Sequence, residues 1–150
     1  MKNATFTVEF ITHCLAIGAK DGKDYDSFAR STSGDLIFQQ SWFYSTFEKA
    51  IHMSKMRNVR PGDIQVELLV NAPVEVYNRK YAPHKSRRHE AILPGTKVTF
   101  KAVVEDCVTE SVLRELLRYV GSFVGLSPYG YNLGFGKFSV VSVEVQSSES

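Results

Sequence analysis

The feature that most constrains the fold is a glycine-rich segment that lies between an apolar helix and the last strand. Residues 121–136 hold five of the ten glycines of the chain, and glycine reaches positive φ and lets another backbone approach closely. The residues that follow, FSVVSVEV, are of the β-branched and aromatic types that favour a strand. The segment therefore predicts a loop over residues 125–137 whose backbone conformation requires glycine. We expect this glycine loop to be the functional surface.

Hydrophobic periodicity predicts the remaining elements. Alternating apolar residues predict strands over residues 5–17, 63–77 and 96–105, with a bulge near residues 10–11. Helical spacing predicts helices over residues 42–56 and 109–124, capped by Ser41 and Thr109. The order strand, helix, strand, strand, helix, strand predicts an α+β fold, the ferredoxin-like βαββαβ arrangement. In it, a four-stranded antiparallel sheet carries both helices on one face, with the first and third strands at its centre.

Length and composition indicate a single domain over residues 1–150. The chain is 43% hydrophobic and 23% charged, and its net charge is +2, so any attraction for nucleic acid must come from local patches. We expect a cytoplasmic protein, because there is neither an apolar run long enough to span a membrane nor a signal-peptide pattern. Cys14 and Cys107 lie in apolar surroundings, which favours two buried thiols over a disulfide.

Two polar excursions interrupt the predicted elements. The first is a long loop over residues 18–34, whose aspartates Asp21, Asp24 and Asp26 lack the spacing of a calcium loop and are expected to be solvated. The second, over residues 78–95, mixes cations with aromatic rings, as single-strand nucleic-acid binders do. Its alternative is a solvated hairpin. The candidate binding residues of this excursion are Arg79, Lys80, Lys85, Arg87 and Arg88, the last two being favoured because arginine grips phosphate in a fork.

The glycine loop is the second candidate site. Consecutive backbone N–H groups in a glycine-rich turn form a concavity for an anion, and a lysine in the loop adds a charge. The alternative is that the glycines only allow the loop to pack against the sheet or the second helix. The candidate binding residues of the loop are Gly130, Tyr131, Gly134, Gly136 and Lys137.

Catalysis and metal binding find less support. His52, on the first helix, and His84 are candidate general bases for a metal-independent endoribonuclease, although a structural role is the commoner use of a helix histidine. The four histidines show no zinc spacing. We therefore expect no metal, no cofactor and no catalytic residue.

The segment NLGFGKFSVVSVE, residues 132–144, resembles the glycine-rich motif that precedes the last strand in the RAMP superfamily, the repeat-associated RNA-binding proteins of CRISPR effector complexes, with relatives in phage genomes. Residues 118–127 look like the preceding helix end of the phage-type members, and residues 38–50 resemble the opening of their first helix. The resemblance covers most of the chain as topology and about twenty-five residues as motif. It implies a nucleic-acid-binding fold whose glycine loop lies near the phosphodiester backbone, and it implies no nuclease.

The sequence thus predicts a non-catalytic binder of single-stranded nucleic acid, RNA rather than DNA, acting beside sibling subunits or copies of itself. A protein-assembly module without nucleic acid and the endoribonuclease are the alternatives, since a fold does not fix a function.

Overall fold

The structure, a computed structural model, describes residues 1–17, 24–126 and 133–146. Its strands are β1 (Lys2–Phe10), β2 (Cys14–Leu15), β3 (Ala29–Arg30), β4 (Leu36–Ile37), β5 (Ile64–Val66), β6 (Leu69–Val70), β7 (Val74–Ala82), β8 (Lys85–Ile92), β9 (Lys97–Val104) and β10 (Phe138–Val145). Its helices are α1 (Gln40–Ser54) and α2 (Glu110–Tyr119), with a 3₁₀ turn at Pro61–Asp63 and a π-helix at Val120–Val124. None of the helices in these ranges is long and apolar enough to cross a membrane.

The central sheet is four-stranded and antiparallel, with the order β10-β1-β9-β5. β1 and β9 lie in the middle, as predicted, because each pairs along both edges. Both strands alternate strictly between buried and more exposed side chains, so one face of the sheet is apolar and the other polar. The prediction of a four-stranded sheet with this strand order is confirmed.

Both helices pack on the apolar face of the central sheet. The rings of Phe6 and Phe100 stack with centroids 5.2 Å apart, and Phe43 of α1 meets Phe100 edge-on at 5.7 Å. Leu113 and Leu117 of α2 are at most 2% exposed in the same cluster. Burying each such side chain stabilises the fold by about 1.5–3 kcal/mol, so the predicted stripes account for this core.

The π-helix joins α2 to the glycine loop and lies directly on β10. A Cβ placed on Gly121 would lie 2.3 Å from the carbonyl oxygen of Phe138, so only glycine permits this approach. Phe123 lies in this π-helix, within the apolar helix predicted over residues 109–124, and is nevertheless 54% exposed, because the wider π turn interrupts the helical spacing.

The prediction of a single sheet is incomplete. A second sheet has the order β2-β8-β7, and a third has the order β3-β4-β6, so part of the predicted loop over residues 18–34 is strand. The predicted strand over residues 63–77 is three strands. Pairing of this segment with β9 ends at Glu67, whose N–H donates to the Lys101 carbonyl. The carbonyl of the next residue, Leu68, instead accepts from the Phe38 N–H. Pro73, which has no N–H to donate, separates β6 from β7.

Several local predictions need correction. β1 ends at Phe10, and the irregularity in its pairing with β10 lies between Thr7 and Val8 instead of near residues 10–11. α1 begins at Gln40 without a side-chain cap, so Ser41 does not cap it, whereas the Thr109 hydroxyl accepts from the Val112 N–H at 3.2 Å as predicted. Both cysteines are free thiols, but Cys107 is exposed and only Cys14 is buried.

Candidate nucleic-acid interface

The predicted basic excursion is an antiparallel hairpin of β7 and β8, which we call the basic ribbon. Arg79 lies opposite Arg87, Lys80 opposite Ser86, and Ala82 opposite Lys85. Like charges directly opposite each other on two strands repel. The arginine pair therefore requires counter-charges nearby, and the segment before β3 provides them.

The first counter-charge is Asp26, whose side chain is fully buried. The Arg87 Nη2 group donates to Asp26 Oδ1 at 3.0 Å, and Arg87 Nε forms an ion pair with Asp26 Oδ2 at 2.6 Å. The backbones also pair, because the Asp26 N–H donates to the Arg88 carbonyl and the Glu90 N–H donates to the Asp26 carbonyl. Arg87 and Asp26 thus fasten the ribbon to the body of the protein.

His89 completes this network from the opposite direction. Its Nδ1 lies 2.8 Å from the Ala16 carbonyl oxygen and 3.2 Å from Asp26 Oδ2, while its Nε2 accepts from Arg79 Nε at 3.3 Å. Since an arginine can only donate, this arrangement assigns the proton of a neutral ring to Nδ1. Burial lowers the pKa of His89, in keeping with a neutral ring, and Arg79 and Arg87 lower it further against the opposing effects of the Ala16 carbonyl and Asp26.

A second buried carboxylate, that of Glu90, follows His89 on β8 and is also paired with an arginine. Glu90 is 5% exposed, and its two oxygens accept from Arg30 at 2.9 and 2.6 Å. The Phe28 N–H donates to the same carboxylate at 3.0 Å. Paired charges with additional hydrogen bonds are the form in which ions are tolerated inside a protein. We call the ribbon residues from Arg87 to Glu90 the ribbon base.

The other end of the hairpin, residues 80–86, is the ribbon tip, and it faces solvent. Lys80, Tyr81 and Lys85 are exposed, and the Arg79 guanidinium carbon lies 5.3 Å from the centre of the Tyr81 ring, a cation–π contact. Within the ranges that the structure describes, no carboxylate pairs with Lys80 or Lys85. These two lysines can therefore take an anionic ligand without first giving up a partner.

Arg88 belongs to the ribbon base, but its partner is exposed. It pairs with Asp24, and both side chains are largely exposed, at 46% and 74%. An exposed ion pair contributes little to stability and exchanges readily with other charges. Arg88 is therefore available to a ligand that displaces Asp24. Arg87 is similarly exposed, at 43%, but its partner Asp26 is fully buried, so its guanidinium is committed to the fold.

The glycine loop, in its described part, is tied to the segment that follows β1. The Gly136 N–H donates to the His13 carbonyl at 2.7 Å, and the Lys137 N–H donates to the Thr12 hydroxyl at 2.9 Å. Gly134 and Gly136 both have positive φ, which explains the need for glycine. These two backbone N–H groups donate within the fold and not to an anion, which agrees with the alternative that the glycines allow the loop to pack. Gly130 and Tyr131 lie outside the described residues.

The ribbon and the glycine loop meet, which the sequence did not predict. Tyr77 of β7 is edge-on to Phe135 of the loop at 5.8 Å, and the His13 ring lies 4.2 Å from Tyr77 on another side. A groove of about 580 Å³ opens between the two. Its described lining holds no carboxylate and consists of Tyr77, Asn78, Arg79, Lys80, Tyr81, Leu133 and Phe135.

The structure also separates residues that the sequence grouped together. Asp26 is buried and paired, so the prediction of a solvated aspartate is wrong for it, whereas Asp24 is exposed. His84 occupies the exposed hairpin turn and His52 the last turn of α1, so they belong to different parts of the fold. Among the described residues, no group of three or more His, Cys, Asp or Glu side chains is arranged to hold a metal ion.

The fold itself has known counterparts. The chain superimposes on a chain from the cryo-EM structure of the Type III-B Cmr-beta complex bound to cognate target RNA, with a TM-score of 0.59, over 96% of this chain and 60% of that one. The fold resembles that of RAMP-type CRISPR proteins, of which this neighbour is one. The identity between the two sequences is 12%, so the similarity concerns the RAMP fold alone.

A second RAMP-type structure, Csc2 of Thermofilum pendens, matches over 97% of this chain and 66% of its own length, with 12% identity and a TM-score of 0.45. The chain thus spans less than two thirds of either RAMP-type chain. No family model and no curated protein sequence matches it. The predicted resemblance to the RAMP superfamily is confirmed at the level of the fold.

Proposed function

We propose that the chain is a non-catalytic subunit that binds single-stranded nucleic acid, RNA in preference to DNA, in a nucleoprotein assembly of the CRISPR or phage type. The observation that carries the proposal is the meeting of the ribbon tip and the glycine loop around one groove that is cationic, aromatic and free of carboxylates in its described lining. Single strands are bound by this combination, because each phosphate offers a charge and each base a flat face.

The candidate residues divide between contact and support. Lys80 and Lys85 are the primary phosphate contacts, because they are exposed and have no ion-pair partner among the described residues. Arg88 joins them when phosphate replaces Asp24. Arg87 and Arg79 act indirectly, by holding the ribbon in shape through Asp26 and His89. Lys137 adds charge from the loop, and Gly130, Tyr131, Gly134 and Gly136 remain candidates as parts of the same loop.

The RAMP fold supports RNA as the preferred ligand and sibling subunits as partners. The Cmr-beta structure contains cognate target RNA, although the present chain spans 60% of the chain it matches there. On this analogy the chain lies along a strand beside other subunits or copies of itself.

The proposal is tested by titrating single-stranded RNA, single-stranded DNA and duplex of equal length against the protein at several salt concentrations. Binding through phosphates predicts a linear fall of log K with log salt, by about 0.7 per phosphate contact for single strands. We expect the tightest binding to single-stranded RNA and no cleavage of labelled RNA in the presence of chelator. Absence of single-strand binding even at low salt would refute the proposal, and cleavage would replace it with the endoribonuclease.

A further inference from the structure

The groove between the ribbon and the glycine loop contains two kinds of chemistry. One part is planar and apolar, formed by Tyr77, Tyr81 and Phe135, and the other is cationic, formed by Arg79 and Lys80. Its volume of about 580 Å³ falls within the range of roughly 300–1,000 Å³ that is typical of sites for small ligands. A flat ring with an attached negative charge, which is the chemistry of one nucleotide, matches both parts.

The three aromatic rings are not equivalent. Tyr77 is enclosed by the His13 ring at 4.2 Å and by Phe135 at 5.8 Å, so it supports the groove from within. Tyr81 contacts the Arg79 guanidinium on one face at 5.3 Å and is 56% exposed. The guanidinium therefore leaves about half of the surface of Tyr81 open to a ligand.

The orientation of Tyr81 is restrained before any ligand arrives. Arg79 holds the ring through the cation–π contact, and Arg79 itself donates to His89, which is buried in the ribbon base. A side chain held in its bound orientation loses less entropy on binding, which increases affinity. The buried network at the base therefore orients a stacking surface near the tip.

We infer that this groove is a stacking pocket for one unpaired nucleobase, with Tyr81 as its platform and Phe135 as its far wall. The inference rests on the proposed function and specifies how the site binds: Lys80 and Lys85 contact phosphates, and Tyr81 contacts a base. The base must be unpaired, because both faces of a paired base in a duplex are covered by its neighbours.

The test compares a homopolymeric single-stranded RNA with an abasic strand of the same length, which keeps the phosphates and lacks the bases. Each is titrated against the wild type, Tyr81→Leu, Tyr81→Phe and the control Tyr44→Leu, which removes a tyrosine of similar exposure (50%) from α1. Stacking on an aromatic side chain contributes on the order of a tenfold change in affinity per base. We expect Tyr81→Leu to weaken binding of the RNA by about tenfold, and we expect Tyr81→Phe and Tyr44→Leu to leave it unchanged.

Further outcomes separate the inference from the proposed function. Tyr81→Leu should leave the slope of log K against log salt unchanged, because no phosphate contact is lost. It should also bind the abasic strand as the wild type does. If the wild type binds both strands equally, or if Tyr81→Leu weakens both by the same factor, the stacking pocket is wrong while phosphate binding stands. If the wild type binds neither strand, the proposed function fails as well.

Discussion

At the ribbon base, Arg87 is clamped to the buried carboxylate of Asp26, and Arg30 is clamped in the same way to Glu90. At the ribbon tip, Lys80 and Lys85 are exposed, with no such partner among the described residues. The same hairpin thus uses its cations for structure at one end and leaves them available at the other. A count of basic residues therefore overestimates the binding surface, because a cation that is paired with a buried carboxylate belongs to the fold.

The largest expected effect separates two adjacent arginines. Arg87→Ala leaves the Asp26 carboxylate buried without its main counter-charge, which costs about 3 kcal/mol of unfolding free energy. Arg88→Ala removes an exposed pair with Asp24 and costs less than about 1 kcal/mol. Chemical denaturation of the two variants and the wild type measures both values. Equal losses from the two substitutions would show that the buried partner of Arg87 and the exposed partner of Arg88 do not differ as described.

A shortened ribbon tests whether the tip is dispensable for folding. Replacement of residues 81–85 by Asn-Gly closes the hairpin after the paired Lys80 and Ser86 with a two-residue turn. We expect the unfolding free energy to change by less than about 1 kcal/mol, because the replaced residues are mostly exposed. Binding of single-stranded RNA should fall by about thirtyfold, since a stacking ring and a phosphate contact are both lost. Unchanged RNA binding would place the interface away from the tip.

The smallest expected effect is a pH dependence of the unfolding free energy that arises from His89 in the ribbon base. Burial lowers the pKa of His89 in the fold, so the unfolded chain takes up the proton first as the pH falls below about 6.5. Stability should therefore be complete above that pH and decline below it, by at most about 1.4 kcal/mol per pH unit for one group. His89→Asn should flatten the decline in denaturation curves measured across this range. His13, whose pKa burial also lowers, acts in the same direction, so some decline should remain, and an unaltered pH profile would contradict the role of His89.

The central sheet and its helices were predictable because their side chains follow simple periods. The alternation in β1 and β9 and the apolar stripe of α2 need no information from distant parts of the chain. The added sheets were not predictable as separate sheets. β2 and β6 lie within the strands predicted over residues 5–17 and 63–77, but each is only two residues long and pairs with a strand far away in the sequence.

The candidate site was predicted as two separate patches, and their proximity was not. Tyr77 and Phe135 are far apart in sequence, and only the fold brings their rings together. The role of Asp26 was missed because Asp24 and Asp26 look like a polar loop. No period of two marks this segment, because Asp26, Ser27 and Phe28 are all buried.

The most direct test of the central claim compares two pairs of exposed lysines. Lys80→Ala with Lys85→Ala removes two charges from the ribbon tip, and Lys97→Ala with Lys101→Ala removes two from the polar face of the central sheet. Net charge changes equally, so any difference in binding reports location. Salt titration with single-stranded RNA should show a slope of log K against log salt that is shallower by about 1.4 for the tip pair and unchanged for the sheet pair. A shallower slope for the sheet pair, with the tip pair like the wild type, would contradict the account.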